Sequence, residues 1–429
     1  MDAHNKLFIA AKNGSPLVIG KGKDGNFLSS DGHALLPHTR EVFFMEDGQL
    51  VVISDKSIDA IDIKSGKKAI FSFSHLNWQS STAEKGKFAH FMLKEIYDQP
   101  KVLQAIISDG LSGVKDITKQ IKYSYGTYLV GCGTASYACL AGTYLFSKIA
   151  KRHVNFAVGS EFGYLADFLT KKSLVLALSQ SGETIDVIEA VKRAKEKGAQ
   201  IGSLVNVLGS TLYRMSDFKL LLEAGTEKAV VSTKAFTAKL AYLILMVCEL
   251  TGSIKVGQED LKKAVNVIEN ILQDTYIQNI KRLVEKIWHK EHIYVVGRGL
   301  SYPIALETAL KIKEASYIHA EGFAAGELKH GVIALIEKAT PCISFLPNDE
   351  TYGANLAGAM EMKARGGYII GISYKNHEVF DYYLPVDDCG IASLIPSAVV
   401  GQLLGYYLAI SRNLNPDKPR NLAKSVTVK

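Results

Sequence analysis

A chain of 429 residues, 47% hydrophobic and 22% charged, has the composition of a folded protein of two or three domains, and a disordered or low-complexity chain is excluded. Its net charge of +7 comes from 50 basic and 43 acidic residues that are interspersed without a run of five like charges. That pattern excludes a nucleic-acid-binding tail, and the mild excess suits an anionic small substrate or a solvated surface equally well. Cys132, Cys139, Cys248, Cys342 and Cys389 form no CxxC pair, so neither a disulfide framework nor a zinc site is indicated. The longest apolar run, residues 241–248, is too short to span a bilayer, and the first residues contain no signal-peptide core. A reducing cytoplasm is the expected location, with neither membrane nor nucleic acid as a partner.

Residues 1 to about 75 read as short strands and turns. LVIG (17–20), EVFFM (41–45) and LVVIS (50–54) are β-rich, and Asp47-Gly48 predicts a hairpin turn between the last two. Residues 90–250 and 260–410 instead alternate apolar β-branched runs with helical periods, the pattern of parallel sheets flanked by helices. These two segments resemble each other. TYLVGCGTASYACL (127–140) aligns with HIYVVGRGLSYPIAL (292–306), and the segment 173–206 aligns with 340–373. Gly131 and Gly297 are 166 residues apart, and Glu183 and Glu350 are 167 apart, so the chain carries a duplicated α/β domain. The copies diverge at one turn: SQSGET (179–184) in the first is LPNDET (346–351) in the second.

SQSGET follows the buried strand 174–178 and precedes a helix with apolar positions Val187, Ile188, Val191 and Ala194, which Gly198 is placed to end. Free backbone N–H groups and the helix dipole favour an anion at such a turn. Ser179, Ser181 and Thr184 add hydroxyls, and Gly182 lets the backbone approach closely. Helix capping alone would explain the hydroxyls. Copy two, which needs a cap as much, lacks both serines, and this favours a bound phosphate. Neither GxGxxG nor GxxxxGK[ST] occurs at this turn, which argues against a dinucleotide fold and a nucleotide P-loop. The first strand-to-helix turn, 131–136, either supplies more donors or is merely a tight turn.

In the second copy Glu307, Lys311 and Glu314 fall at i, i+4 and i+7 and share one helix face. A solvated ladder of ion pairs is the plain reading of such a face. The run 316–331 that follows is dense in small and titratable residues, and a Glu beside a Lys with a nearby His suits proton transfer at a carbon next to a carbonyl. The tail, 419–428, is unperiodic. It reads as a frayed end or as a carrier of Lys424 into a pocket, where the amine forms a Schiff base with a sugar ketone.

Taken together, HFMLKEIYDQP (90–100), SQSGET, AGTEKAVVSTKAF (224–236), the segment 302–331 and PRNLAKSVTV resemble the isomerase part of the glutamine–fructose-6-phosphate aminotransferase family. The resemblance implies two sugar-isomerase (SIS) domains, at 101–255 and 256–412, preceded by a β-rich glutaminase remnant (1–75) and a linker (76–100), and followed by a tail (413–429) that closes the active site. It implies conversion of fructose 6-phosphate and ammonia to glucosamine 6-phosphate without a cofactor. Thr134, Ser179, Gln180, Ser181 and Thr184 would contact the sugar phosphate, with Val230, Ser232 and Ala423 lining the sugar. Glu314 would move the proton between C1 and C2, supported by Lys311 and Glu307. His330 would come from the neighbouring subunit of a homodimer to assist ring opening, and Lys424 would hold the ketone carbon. Ala135 stands where the family often has Ser, which removes one hydroxyl contact. Only the last part of the family's glutaminase domain has a counterpart (13–54), and the first Cys is Cys132. The chain alone is therefore expected not to hydrolyse glutamine, and a separate glutaminase chain is one expected partner. A related deaminase or deglycase, and a non-catalytic sugar-phosphate sensor, are the alternative functions.

Overall fold

The computed structural model describes residues 7–14, 16–30, 32–55, 57–76 and 84–427. Met1 and Asp2, residues 77–83 of the expected linker and the last two residues of the tail lie outside that set. The first strands are β1 (Phe8–Ala11), β2 (Val18–Lys21), β3 (Asn26–Ser29), β4 (Glu41–Phe44), β5 (Gln49–Ile53), β6 (Ile58–Asp62) and β7 (Ser74–His75). They form two antiparallel sheets, in the orders β1-β5-β6 and β3-β2-β4-β7. Ile19, Phe43, Met45, Val51, Ile53 and Ala60 are buried together. Phe8, Ile9, Leu28, Ile63 and Ile70 remain exposed.

Asp47-Gly48 does not make the expected hairpin, because β4 and β5 belong to different sheets. The Asp47 carboxylate instead accepts from the Gly14 N–H (2.8 Å) and the Lys12 ammonium (2.5 Å). Turn chemistry fixed the bend there but not the pairing of its flanks.

Three helices follow: α1 (Phe91–Tyr97), α2 (Gln99–Asp109) and α3 (Leu111–Tyr123). The supposed linker therefore contains a helix. Asp417, far along the chain, accepts from the Phe91 and Met92 N–H groups at 2.8 Å and satisfies two orphan donors at the start of α1.

The first repeat runs β8 (Gly126–Gly131), α4 (Thr134–Lys148), β9 (Asn155–Val158), α5 (Gly159–Phe162), β10 (Ser173–Ser179), α6 (Ile185–Glu196), β11 (Gln200–Val205), α7 (Thr211–Met215), β12 (Phe218–Leu221) and α8 (Lys234–Leu250). After α9 (Ile254–Ile271) and α10 (Asp274–Ile287), the second runs β13 (His292–Gly297), α11 (Ser301–Ser316), β14 (His319–Ala324), β15 (Pro341–Leu346), α12 (Tyr352–Lys363), β16 (Tyr368–Ser373), β17 (Tyr382–Pro385) and α13 (Leu394–Ser411). The sheets have the orders β12-β11-β10-β8-β9 and β14-β13-β15-β16-β17, which are one topology read in opposite directions, with every pairing parallel. The duplication read from two glycines and two glutamates is thus a duplication of strand order. The second glycine of each first turn, Gly133 and Gly299, has φ of +53° and +59°, a conformation that Gly adopts without steric cost.

One apolar cluster runs through both repeats and includes α8 and α13. The segment Gly390–Ser411 is long and apolar enough to cross a membrane, but 78% of its apolar window is buried inside the fold. It is the core helix against which α11 lies. Gly401 and Gly405 of α13 set how close α11 comes: a Cβ on Gly405 would stand 2.9 Å from the Lys311 carbonyl oxygen. Because that neighbour is backbone, Gly405→Ala is expected to cost about 1–3 kcal/mol. Urea unfolding measures it, and an unchanged midpoint would show that α11 can shift freely.

Candidate active site

β10 ends at Ser179, and α6 begins at Ile185 with Thr184 as its N-cap in extended conformation, without a capping side-chain hydrogen bond. The hydroxyls of this turn are therefore not consumed in capping. The Gly182 N–H donates to Ser179 Oγ (3.0 Å), the Glu183 N–H donates to Ser181 Oγ (3.1 Å), and the Ser179 and Thr184 hydroxyls lie 3.3 Å apart. Gly182 has φ +66°, and a Cβ there would stand 2.1 Å from Ser210 Oγ, so both conformation and space demand Gly. In the second repeat a carboxylate fills the equivalent place. Asp349 Oδ1 accepts from the Thr351 N–H (2.8 Å) and hydroxyl (2.6 Å). An anion before the start of α12 is thus built into the chain, whereas the equivalent place before α6 is Gly182, and the nearby Glu183 carboxylate is turned away to accept from the Thr211 N–H.

Thr134, the first residue of α4, faces α11. The Lys311 ammonium donates to Thr134 Oγ1 (3.0 Å) and to Glu314 Oε2 (2.5 Å), and lies 3.5 Å from Glu307 Oε1. Thr134 also donates to Glu307 Oε1 at 3.3 Å. Glu307 and Lys311 are 1% and 0% exposed, so this face is no solvated ladder; it is the seam between the repeats. Burial pushes the Glu307 carboxyl up to about 8, opposed by Lys311 and reinforced by Glu314. Burial works against the Lys311 ammonium, but Glu307 and Glu314 outweigh it and raise its pKa. Lys311 thus pairs most closely with Glu314, at 2.5 Å against 3.5 Å to Glu307, and burial disfavours charge on Glu307.

The tail folds over the turn. The Ile185 N–H donates to the Val426 carbonyl (2.9 Å), and the Ser425 and Ser181 hydroxyls are 3.0 Å apart. Lys424 Nζ donates to the Ala229 carbonyl (2.6 Å) and to Glu227 Oε2 (3.0 Å). Glu227 also accepts from the Ser232 hydroxyl (3.0 Å) and the Thr233 N–H (2.8 Å). Burial would raise Glu227, but Lys424 and the Thr233 N–H hold it down at about 2. A cavity of about 110 Å³ lies between these elements, with Thr134, Ser179, Gln180, Ser181, Thr184, Ser232 and Lys424 on its wall. Gln180, Ser181 and Lys424 also border a larger cavity of about 640 Å³ against the N-terminal β unit.

The SIS domain profile matches residues 126–248 and 286–380, the two repeats. A glutamine–fructose-6-phosphate aminotransferase [isomerizing] of Pyrococcus horikoshii is 38% identical over 437 residues, which span 100% of this chain and 72% of that relative. The enzyme of the same name from Clostridium tetani is 38% identical, over 98% of this chain and 72% of its own length. This chain belongs to the glutamine–fructose-6-phosphate aminotransferase family. The solved C-terminal domain of glucosamine-fructose-6-phosphate aminotransferase from Francisella tularensis superposes with a TM-score of 0.73 at 34% identity, covering 78% of this chain and all of that one. A glucosamine-6-phosphate deaminase structure from Thermotoga maritima gives 0.65 at 25% identity, over 78% of this chain and 99% of that one.

Of the residues expected from the aminotransferase family, seven line the small cavity, and Glu307, Lys311 and Glu314 join it through Thr134. Val230 and Ala423 do not line it: the Val230 N–H donates to the Asp417 carbonyl (3.0 Å), and Ala423 is exposed next to Lys424 in the chain. His330 is exposed on the turn Ala325–His330 after β14 and does not line the cavity. Ala135 lines the cavity as a methyl group. Glu227 and Glu95 were missed in the sequence. Glu95 accepts from the Lys228 N–H (2.5 Å) and the Ala229 N–H (3.2 Å), and burial and Glu227 push it up to about 8. The available signal was Glu227 itself, a lone carboxylate among small residues in AGTEKAVVSTKAF.

A carboxyl at about 8 when folded, against an ordinary 4.5, takes up a proton on folding. Its stabilisation is full below the ordinary value and is lost as the pH rises towards the folded one. Between about pH 5 and 8 the parent chain is expected to lose unfolding free energy that Glu307→Gln does not. Glu95 contributes equally to both, so the difference reports Glu307. Urea unfolding at several pH values measures it, and parallel curves would mean that Glu307 is ionised.

Proposed function

We propose that the chain converts fructose 6-phosphate and ammonia into glucosamine 6-phosphate at the cavity between its first repeat and the tail, which Thr134 links to α11 of the second repeat. The observation that carries this reading is the junction of a hydroxyl-lined helix start, covered by the tail, in one repeat with a helix of the other that presents buried Glu307 and Lys311 and half-buried Glu314. The phosphoryl group sits at 179–184, where Ser179, Ser181, Thr184, the Gln180 side chain and the dipole of α6 receive it. The open-chain ketone then points towards Lys424 and α11, with Ser232 beside the sugar.

Lys424 attacks C2 of the ketone and loses water to form an imine, which fixes the substrate. Ammonia displaces the Lys424 amine at C2, leaving the 2-imino sugar and the free lysine. Glu314 removes a proton from C1, the C=N electrons shift to nitrogen as it takes up a proton to give the 1,2-enaminol, and the Glu314 proton returns at C2 while the C1 hydroxyl gives up its proton to leave the aldehyde. The product is a 2-amino aldose with no net change in oxidation. Lys311 holds the Glu314 carboxylate in place, and Glu307 braces Lys311 and Thr134 from the other side. Glu227 orients Lys424. The larger cavity, which shares Gln180, Ser181 and Lys424 with the smaller one, offers ammonia a way in. Assays with ammonium salts test the isomerase chemistry whatever supplies ammonia to it.

His330 belongs to this site through a second copy of the chain, which makes the functional unit a homodimer with shared sites. Glu314→Gln is expected to lower turnover with fructose 6-phosphate and ammonia by at least about a thousandfold while leaving fructose 6-phosphate binding within about twofold. Retained turnover would remove Glu314 from the proton path. An equal mixture of Glu314→Gln and His330→Ala chains, unfolded and refolded together, should regain about a quarter of parental activity, since half of the dimers carry one intact site. Failure of such mixtures to exceed either variant would show that each site is complete within one chain. Measuring the reverse reaction from glucosamine 6-phosphate separates a synthase from a deaminase.

A further inference from the structure

One cation on the cavity wall has no part in the chemistry above. Lys239, in the second turn of α8, is 1% exposed and borders the same 110 Å³ space as Ser179, Thr184 and Ala135. Among the described residues its ammonium has no carboxylate within 4.0 Å and no hydrogen bond. The other lysines in this region are paired: Lys424 with Glu227, Lys311 with Glu314 and Lys234 with Asp98. Its neighbours on α8 are Ala238, Leu240, Tyr242 and Leu243, all buried in the apolar core. A lone ammonium costs several kcal/mol in such a place unless an anion joins it. Burial accordingly pushes Lys239 down to about 8, with Glu227, Cys139 and Glu307 opposing the fall.

The cradle opposite carries no cation of its own, and Lys424 on the same wall is paired with Glu227. The cradle's donors are hydroxyls, an amide and a helix start equivalent to about half a positive charge, whereas a sugar phosphate near neutral pH carries almost two negative ones. On α4, Ala135 brings only a methyl to the wall and leaves the space open for a longer side chain from α8. We propose that Lys239 is a substrate-binding residue whose ammonium meets the phosphoryl group of the sugar phosphate across the gap beside Ala135. The inference rests on the reading that this cavity binds fructose 6-phosphate. It explains why an unpaired cation is kept on a buried helix: the ligand is its partner.

The test measures, by calorimetric titration, the affinity of the parent chain, Lys239→Met and Lys239→Arg for fructose 6-phosphate, inorganic phosphate and unphosphorylated fructose. Lys239→Met should weaken fructose 6-phosphate and inorganic phosphate by at least about tenfold and leave fructose unchanged, and Lys239→Arg should recover part of the loss. Equal affinity of Lys239→Met and parent for fructose 6-phosphate would overturn the assignment. A parent chain that does not prefer fructose 6-phosphate to fructose would instead overturn the reading of the cavity. Removing a buried unpaired charge should hold or raise the melting temperature. If Lys239→Met nevertheless fails to fold, the 15N resonance of the Lys239 ammonium in the parent protein, assigned through Lys239→Arg, decides: it should move with fructose 6-phosphate and inorganic phosphate, and a signal that neither moves would overturn the proposal.

Discussion

The burial of Lys311 is the constraint on which the rest of the architecture depends. Its ammonium has no access to water and sits where α4 of one repeat meets α11 of the other, satisfied by Thr134, Glu314 and Glu307. Breaking a buried ion pair by removing one partner typically costs about 3–5 kcal/mol, because a bare charge remains. The repeats therefore cannot slide past one another without stranding that charge. Gly401 and Gly405 of α13 hold α11 at the depth where the lysine reaches Thr134. One interaction fixes the relation between the anion turn, which follows β10, and the carboxylates, which ride on α11.

Duplication explains how such a site arises from one fold. Both repeats have the same strand order and the same glycine at the first turn, so both offer a helix start at the carboxyl end of a central strand, where open α/β sheets bind ligands. Only one of them is filled by a carboxylate of its own turn. Asp349 fills the start of α12 with an anion from the chain itself, whereas the start of α6 is lined by Ser179, Ser181 and Thr184 and covered by the tail. The repeat with its anion place filled is the one whose first helix, α11, brings Glu307, Lys311 and Glu314 to the shared seam.

Much of this was legible in the sequence because it is local or periodic. Alternation of apolar runs and helical periods marked the parallel sheets, Gly198 marked the end of α6 with φ +82°, and the difference between SQSGET and LPNDET marked the turn at which the two repeats diverge in structure. What was not legible depends on residues brought together from afar. Helical spacing shows that Glu307, Lys311 and Glu314 share a face but not that α4 covers it, and an exposed ladder has the same pattern. The bend at Asp47-Gly48 was readable, but its pairing was decided by Lys12 and Gly14. Asp417 caps a helix that begins at Phe91, and Glu227 gains its meaning from Lys424, 197 residues away. No window of sequence contains those pairs.

A crystal structure of the chain with fructose 6-phosphate is the most direct test of a phosphorylated ketose lying between the two repeats. The phosphoryl group is expected within hydrogen-bonding distance of Ser179, Ser181 and Thr184, with Lys424 turned from Glu227 towards C2 and the C1–C2 bond facing Glu314. A phosphoryl group bound anywhere else, or a sugar that reaches neither Lys424 nor Glu314, would contradict the account.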